Sequence, residues 1–278
     1  MGPAGEGGGL GDAVTSAVKR VGLIGFGYIG AQVYERIRSQ PGLGLEVAYV
    51  HNRSAGRLKA VPPELVLADL AQSASRKPDL VVEIAHPEFT RRHGEQILSH
   101  ASYLPLSVTA LADDPLRERM IAQASRSGTR LLIPHGALIG TDNLVEWRHM
   151  WEKVAITFIK SPANIDFSES GYAKTIVADT VVYEGPVRGI ARLYPRNVNT
   201  MITCALATTG LDKCQAKLIA SPGLKVAIAD IRAVGRDGMI LTMRKETPVV
   251  GVSGTEVFES TFRSILRAAN AGETMEFV

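Results

Sequence analysis

The sequence lacks the features that would mark a secreted, membrane-spanning or nucleic-acid-binding protein. Its two cysteines, Cys204 and Cys214, lie ten residues apart with no His or Cys at metal-ligand spacing, so neither a disulfide framework nor a metal site is indicated. No stretch approaches the roughly 18 to 20 continuous apolar residues that span a bilayer. The net charge is +3 and the basic residues are scattered, so they form no track for phosphates. We therefore expect a soluble, cytoplasmic protein whose partner is a small molecule rather than a nucleic acid or a membrane.

The amino-terminal segment differs in composition from the rest of the chain. Residues 1–19 are rich in glycine, carry the acidic Glu6 and Asp12 and have no apolar core. This composition excludes a secretory signal and predicts a disordered tail. Over the whole chain of 278 residues, 45% are hydrophobic and 21% are charged, which is typical of a globular protein. The length suits two domains.

The first half of the chain alternates between short apolar runs and amphipathic segments of helical length. This alternation predicts βαβ units and an α/β fold, with a Rossmann-type doubly wound parallel sheet in a dinucleotide-binding domain over 20–139. The predicted strands cover 20–24, 45–51, 80–85, 103–107 and 130–133. The predicted helices cover 28–39, 89–99 and 115–127.

From about residue 140 the apolar runs are longer and alternate with polar residues. This pattern predicts a second, α+β domain over 140–254 that carries an open mixed sheet and faces the substrate. The predicted strands cover 155–160, 175–183, 217–219, 226–232 and 238–244, and a helix is predicted over 191–208. The carboxyl-terminal part, 255–278, is expected to form a helix over 255–269 that packs back on the first domain.

A glycine motif stands between the first predicted strand and the first predicted helix. Its residues are Gly25, Phe26, Gly27, Tyr28, Ile29 and Gly30. In this setting the first glycine permits a tight turn, the second lets a pyrophosphate approach the backbone, and the third lets helix and strand pack closely. The helix amino terminus then faces the phosphates with its N–H groups. The motif therefore predicts a nicotinamide dinucleotide as cofactor.

The end of the second predicted strand bears on the choice between NAD and NADP. An NAD site usually offers a carboxylate to the ribose hydroxyls here, but this chain has Asn52 followed by Arg53 and Ser54. Asn52 can hydrogen-bond a ribose, while Arg53, Ser54 and Arg57 can accept a 2′-phosphate. The arginines can equally be solvated loop residues. Both NAD and NADP stay open.

Five segments, spread over most of the chain, resemble the L-aspartate dehydrogenase family. They are VEIAHP at 82–87, SVTALAD at 107–113, HGALIG at 135–140, YEGP at 183–186 and YPRNVN at 194–199. The resemblance implies oxidation of L-aspartate at its α-carbon, with hydride passing to the nicotinamide and iminosuccinate hydrolysing to oxaloacetate and ammonia. It also implies a homodimer.

The same resemblance implies which residues contact the cofactor. Ala137 and Asn199 match family residues that contact the nicotinamide cofactor, and Asn197 is the neighbouring candidate. An amide side chain can hold the carboxamide of nicotinamide, and a small residue lets the ring lie flat. His86, at the end of a predicted strand beside Pro87, is a further candidate to position the ring.

The chain departs from the family pattern at three positions. His135 and Thr109 stand where the family has Ser and Gly, and the resemblance implies a catalytic histidine in the strand over 226–231, near Ala229, where this chain has none. The chain has no histidine after His149. The expected general acid or base is therefore absent from that position.

Two residues are candidates to supply the missing chemistry. His135 follows a predicted strand and can act as an acid or base, or it can be a hydrogen-bonded loop residue. Lys160 is a candidate partner for a substrate carboxylate, as are Arg188 and Arg196. Three hypotheses stay open: an active NAD(P)-dependent aspartate dehydrogenase, a noncatalytic dinucleotide-binding protein, and an oxidoreductase for another amino or hydroxy acid.

Overall fold

The computed structural model describes residues 18–250, 253–254 and 256–271. The predicted tail over 1–19 therefore lies outside the described residues, except that Lys19 already belongs to the first strand. Residues 272–278 of the predicted carboxyl-terminal part also lie outside them.

The first part of the chain forms a four-stranded parallel sheet flanked by helices. Its elements are β1 (Lys19–Ile24), α1 (Tyr28–Ser39), β2 (Leu45–His51), β3 (Leu80–Glu83), α2 (Pro87–Leu98), β4 (Ser102–Pro105) and α3 (Asp114–Ser127). The strands are ordered β2-β1-β3-β4. β3 is buried along its whole length, because helices cover both faces of the sheet.

The second part forms a six-stranded mixed sheet with its own helices. Its elements are α4 (Thr141–Glu146), β5 (Trp151–Lys160), β6 (Thr180–Pro186), α5 (Val187–Leu193), α6 (Asn199–Ala207), β7 (Gln215–Ala220), β8 (Val226–Gly235), β9 (Ile240–Val250), β10 (Ser253–Gly254) and α7 (Val257–Ala269). The strands are ordered β10-β9-β8-β5-β7-β6. β5 and β7 are parallel, and the other neighbouring strands are antiparallel.

Two hydrophobic clusters cover the two faces of the parallel sheet. On one face Tyr34 of α1 and Phe262 of α7 are fully buried, so the last helix returns to the first part of the chain. On the other face Leu98 of α2 and Met120 of α3 join a cluster that continues into the mixed sheet. The two sheets therefore share a continuous core. No helix in the described part of the chain is long and apolar enough to span a membrane.

The predicted α/β class, with a Rossmann-type parallel sheet and a second domain with a mixed sheet, is confirmed. Three predicted elements differ from the structure. The strand predicted over 175–183 begins only at Thr180 and ends at Pro186. Residues 130–133 form an isolated bridge at Leu131 rather than a strand, and Pro134, which follows, cannot donate to a ladder. The helical spacing predicted in 191–208 after Pro195 corresponds to α6, but the residues before Pro195 belong to a separate helix, α5, because Pro195 has no N–H to continue it.

Candidate active site

A cleft opens where the carboxyl ends of the parallel strands face the mixed sheet. Its volume is about 260 Å³. This is slightly below the roughly 300 to 1,000 Å³ of pockets for drug-sized ligands, so the cleft suits a small substrate or one end of a dinucleotide. The first part of the chain lines it with Ile29, Ile84, Ala85, His86, Pro87, Leu106, Ser107, Val108, Pro134, Gly136 and Ala137. The second part contributes chiefly Phe158, Lys160, Asn197, Asn199, Thr203, Ala227, Ala229, Lys245, Thr247 and Glu256.

The glycine turn between β1 and α1 leaves room for a ligand. Gly25 has a φ of 97°, and a Cβ there would lie 2.3 Å from the Ile84 carbonyl oxygen, so a side chain is excluded. A Cβ on Gly27 would meet only Arg57 Nη1, at 4.0 Å. The residue at the start of α1 makes no side-chain cap, so the first N–H groups of the helix are directed at this open space. The turn therefore fits the pyrophosphate of a dinucleotide.

Asn52, at the end of β2, fixes the shape of this turn. Its Oδ1 accepts the Phe26 N–H at 3.0 Å, and its Nδ2 donates to the Ser54 carbonyl at 2.9 Å. Arg53 is exposed on the following loop. Arg57 lies closer to the turn, since its Nη1 would be 4.0 Å from a Cβ on Gly27.

A buried carboxyl group joins the two loops that follow β3 and β4. Glu83 accepts hydrogen bonds from the Ala85 N–H at 2.7 Å, the Ser107 N–H at 3.0 Å and the Ser107 hydroxyl at 2.8 Å. Burial raises its pKa, and these hydrogen bonds oppose the rise only in part. Glu83 therefore sets the position of both loops against the cleft.

His86 and Ala137 lie on opposite loops of the cleft. His86 is the amino-terminal cap of α2, where its Nδ1 accepts the Glu88 N–H at 3.2 Å. A neutral His86 ring therefore carries its proton on Nε2. The carbonyl of Ala137 accepts a hydrogen bond from Lys245 Nζ at 2.7 Å, so this loop of the first part is held by the mixed sheet.

Asn199 and Asn197 have different surroundings, although both line the cleft. The Thr109 N–H donates to Asn199 Oδ1 at 3.0 Å, and the Thr109 hydroxyl lies 2.5 Å from the same oxygen. Asn197 uses its amide to accept from the Asp166 N–H and to donate to the Asn164 carbonyl, at 2.8 and 2.9 Å. Asn199 is thus oriented by the first part of the chain, whereas Asn197 holds a loop of the second.

The face of the mixed sheet that closes the cleft carries two lysines and two alanines. In the strand register Ala229 lies opposite Phe158 and Lys245, and Ala227 lies opposite Thr247. Alternate side chains of a strand share a face, so Lys160 lies on the same face as Phe158. The small side chains of β8 leave a hollow between the lysines of β5 and β9.

The two lysines beside this hollow have different electrostatic surroundings. Lys245 forms an ion pair with Glu256, whose other carboxylate oxygen accepts the Thr247 hydroxyl at 2.7 Å. Lys160 is only 7% exposed, and its Nζ lies 5.3 Å from the centre of the Phe158 ring. Burial, and then the charge of Lys245, lower the pKa of Lys160 to about 8, against the opposing effect of Glu256.

His135 is not among the residues that line the cleft. Its Nδ1 lies 3.2 Å from Arg267 Nη1, and its Nε2 lies 3.7 Å from a carboxylate oxygen of Asp142. Burial lowers the pKa of its ring, and Asp142 opposes that change. The structure therefore does not bring His135 together with Lys160.

The two candidate arginines are also placed apart. Arg196 lines the cleft, but its side chain is 58% exposed and pairs with Asp166 at 3.2 Å. Arg188 lies outside the cleft, where it pairs with Asp114 at 2.9 Å and with Asp212. Of the two, Arg196 alone adds to the positive charge beside the cleft.

Seven of the residues predicted from the sequence come together in the cleft: Ile29, His86, Ala137, Lys160, Arg196, Asn197 and Asn199. Four residues that shape the cleft were not predicted from the sequence: Glu83, Lys245, Thr247 and Glu256. Glu83 ends an otherwise apolar strand, which is a recognisable signal for a buried functional carboxyl. Lys245 and Thr247 occupy inward-facing positions of β9, but the strand was predicted to end at residue 244. A longer predicted strand would have identified both as polar residues on a buried face.

The glycine turn, the helix amino terminus behind it and the cleft at the carboxyl edge of a parallel sheet define a class of protein. They are the features of an NAD(P)-binding protein of the oxidoreductase type.

Comparisons with known proteins narrow that class. The family model for the carboxyl-terminal domain of aspartate dehydrogenase matches residues 145–264, and that for the NAD-binding domain of homoserine dehydrogenase matches residues 25–134. The chain is 34% identical over 271 residues to an aspartate dehydrogenase domain-containing protein of Xenopus tropicalis, covering 91% of this chain and 95% of the relative. It is 31% identical over 212 residues to an L-aspartate dehydrogenase of Thermotoga maritima, covering 76% and 80% of the two chains.

A solved structure agrees with these matches. The crystal structure of aspartate dehydrogenase from Thermotoga maritima covers 94% of this chain and 99% of its own, with a TM-score of 0.72 and 28% sequence identity. The chain belongs to the aspartate dehydrogenase family, and the resemblance drawn from its sequence motifs is confirmed. Its cofactor is accordingly NAD or NADP.

Proposed function

We propose that this protein is an NAD(P)-dependent L-aspartate dehydrogenase. It would oxidise L-aspartate at the α-carbon to iminosuccinate, which water converts to oxaloacetate and ammonia. The relatives named L-aspartate dehydrogenase support this reaction, and Thermotoga maritima supplies one of them. The homodimer implied by the resemblance belongs to the same proposal and is tested by sedimentation velocity.

One observation carries the proposal most directly. The carboxyl edge of a dinucleotide-binding sheet faces a cleft whose lining includes two cationic side chains, Lys245 and Arg196. Two cations beside a small hollow suit a small substrate with two carboxylates, because a buried carboxylate needs a partner of opposite charge. L-Aspartate is such a substrate.

Different residues of the cleft would bind the cofactor and the substrate. The bound nicotinamide supplies the hydride acceptor. Asn199 would hold its carboxamide through the side-chain NH₂ group, since Oδ1 already accepts from Thr109. Ala137 leaves room for the ring, and the Nε2–H of His86 offers a further donor. Lys245 would attract a substrate carboxylate as a fixed positive charge.

One observation favours a second candidate, a noncatalytic NAD(P)-binding protein. Ala229 lines the cleft at the position where the resemblance implies a catalytic histidine. An alanine cannot move a proton, and loss of a positioned base typically costs about a hundredfold to ten-thousandfold in rate. A protein that keeps the cofactor site can therefore have lost the reaction.

Absorbance at the reduced-nicotinamide band separates the two candidates. We expect purified protein to reduce NAD or NADP with L-aspartate, and to oxidise the reduced cofactor with oxaloacetate and ammonia. A variant that blocks the glycine turn, Gly27→Trp, is the control and should give no signal. Saturable binding of the reduced cofactor, measured by its fluorescence, without turnover in either direction would favour the noncatalytic protein.

A further inference from the structure

Lys160 differs from the other lysines of the described chain in how deeply it lies. It continues the inward-facing positions of β5 that Val154, Ile156 and Phe158 occupy, so its side chain enters the cleft from the sheet face. It is 7% exposed, whereas Lys153 on the same strand has a side chain that is 79% exposed. A lysine buried in a cleft is a candidate for chemistry rather than for solubility.

The groups that face Lys160 favour its neutral form. Lys245 reaches the cleft from β9 and Glu256 from the segment before α7, and these two form an ion pair with each other. Arg196 and His86 line the same cleft farther along. Lys160 lies beside this ion pair, and burial together with the charge of Lys245 lowers its pKa to about 8. Near neutral pH a larger fraction of Lys160 is then an unprotonated amine than of an ordinary lysine.

Lys245, the other lysine of the cleft, has different partners. Its Nζ donates to the Ala137 carbonyl and forms an ion pair with Glu256. His135 lies outside the cleft, and Ala229 carries no titratable group. Among the described side chains that line the cleft on the sheet side, Lys160 is thus the one that we consider suited to accept a proton.

On the basis of the function proposed above, we propose that Lys160 is the general base that removes the proton from the substrate's α-ammonium group. The N–H bond of the substrate breaks and an N–H bond forms at Lys160 Nζ, which leaves a neutral amine and a lysine ammonium. The Cα–H bond then breaks with its electron pair passing to the nicotinamide, while the nitrogen lone pair forms the C=N bond. The Lys160 ammonium releases its proton to water before the next turnover. Lys160 thereby takes the role that the resemblance assigns to a histidine near Ala229.

Kinetics as a function of pH test this role. In the wild-type protein, kcat/KM for aspartate oxidation should rise about tenfold per pH unit below pH 8 and level off above it. Lys160→Arg keeps the positive charge but cannot deprotonate, so kcat should fall at least about a hundredfold while KM for aspartate changes little. Lys160→Ala should lose activity that added methylamine partly restores. Lys153→Arg on the same strand is the matched control and should behave as wild type.

A titration without turnover gives a second readout. In protein labelled with ¹³C at the lysine ε-carbon, the signal that Lys160→Arg removes should titrate near pH 8. A midpoint above pH 10, or a Lys160→Arg variant with wild-type kcat and pH profile, would overturn the assignment. If the wild-type protein turns over no aspartate, the proposed function fails and the role of Lys160 fails with it. If the wild type is active and Lys160→Arg is equally active, only the role of Lys160 fails.

Discussion

At the scale of single residues, Lys160 carries the clearest conflict between stability and function. An ammonium group is costly to bury, and the cost is visible as a pKa that falls from 10.5 to about 8 on folding. Natural active sites often keep such groups at the expense of stability. The glutamate–lysine pair beside it, Glu256 and Lys245, is satisfied by its own hydrogen bonds and does not share this conflict.

Replacing Lys160 by methionine should therefore stabilise the protein at neutral pH. Below pH 8 both the folded and the unfolded chain hold the Lys160 proton, and the folded state bears the full cost of the buried charge. Between pH 8 and 10.5 only the unfolded chain stays protonated, so the wild-type protein gains stability as pH rises. We expect Lys160→Met to raise the free energy of unfolding by about 3 kcal/mol at pH 7, and by much less at pH 10.

Urea denaturation at the two pH values measures this difference. Lys153→Met, at the exposed end of the same strand, is the control and should change stability little at either pH. An equal gain for Lys160→Met at pH 7 and pH 10 would show that the lysine is not titrating in this window.

At the scale of elements, the turn between β1 and α1 separates structural from functional glycines. A Cβ on Gly30 would lie 2.3 Å from the Gly25 carbonyl oxygen, whereas a Cβ on Gly27 meets nothing closer than 4.0 Å. We expect Gly30→Ala to destabilise the fold, because a backbone atom must move. Gly27→Ala should leave the melting temperature nearly unchanged and weaken cofactor binding, because its methyl group occupies the space of the pyrophosphate.

Thermal denaturation and a fluorescence titration with reduced cofactor test the pair. Equal loss of stability in both variants would mean that Gly27, too, serves the fold. Unchanged cofactor affinity in Gly27→Ala would show that the pyrophosphate does not bind at this turn.

The sequence was most informative where local pattern decides the element. The limits of α1 and β2 were predicted as the structure has them, because turn residues and apolar periodicity mark both ends. The helix after Pro195 was predicted, but α5 before it was missed, since the predicted range began only at residue 191. The bridge at Leu131 was predicted as a full strand, because an apolar run does not tell how many of its residues find a partner.

The candidate site was predictable only in part, for a related physical reason. Gly25, His86 and Ala137 were expected at one edge of the sheet because βα alternation makes the strands parallel and brings their carboxyl ends together. The pairing of Lys245 with Glu256 depends on how β9 and the segment before α7 meet in space, and no local pattern contains it. His135 was a candidate because it follows a predicted strand, but its ring contacts Arg267 of α7 and does not line the cleft.

At the scale of the whole molecule, the cofactor site depends on contacts between the two sheets. Arg188 of α5 donates to the Ala112 carbonyl at 2.9 Å and pairs with Asp114 at the start of α3. Thr109 joins the turn after β4 to Asn199 of α6. These contacts fix the distance between the glycine turn and the lysine-bearing face, so a change far from the chemistry can alter binding.

Thr109→Val should weaken cofactor binding without unfolding the protein. The hydroxyl of Thr109 lies 2.5 Å from Asn199 Oδ1 and 2.9 Å from the Pro195 carbonyl, and valine cannot replace these hydrogen bonds. A loss of about 1 kcal/mol is expected, or roughly fivefold in Kd for the reduced cofactor. Thr109→Ser keeps the hydroxyl and should bind as wild type. Calorimetric titration measures both, and equal affinity in the two variants would contradict a role for this contact in orienting Asn199.

The most direct measurement of the central claim follows the hydrogen itself. L-Aspartate deuterated at the α-carbon is incubated with the protein and NAD or NADP, and the reduced cofactor is analysed by mass spectrometry. An aspartate dehydrogenase must yield reduced cofactor that carries one deuterium, with oxaloacetate and ammonia formed alongside it. Cofactor that binds to the protein but acquires no deuterium from aspartate would contradict the account and would leave a dinucleotide-binding protein without this reaction.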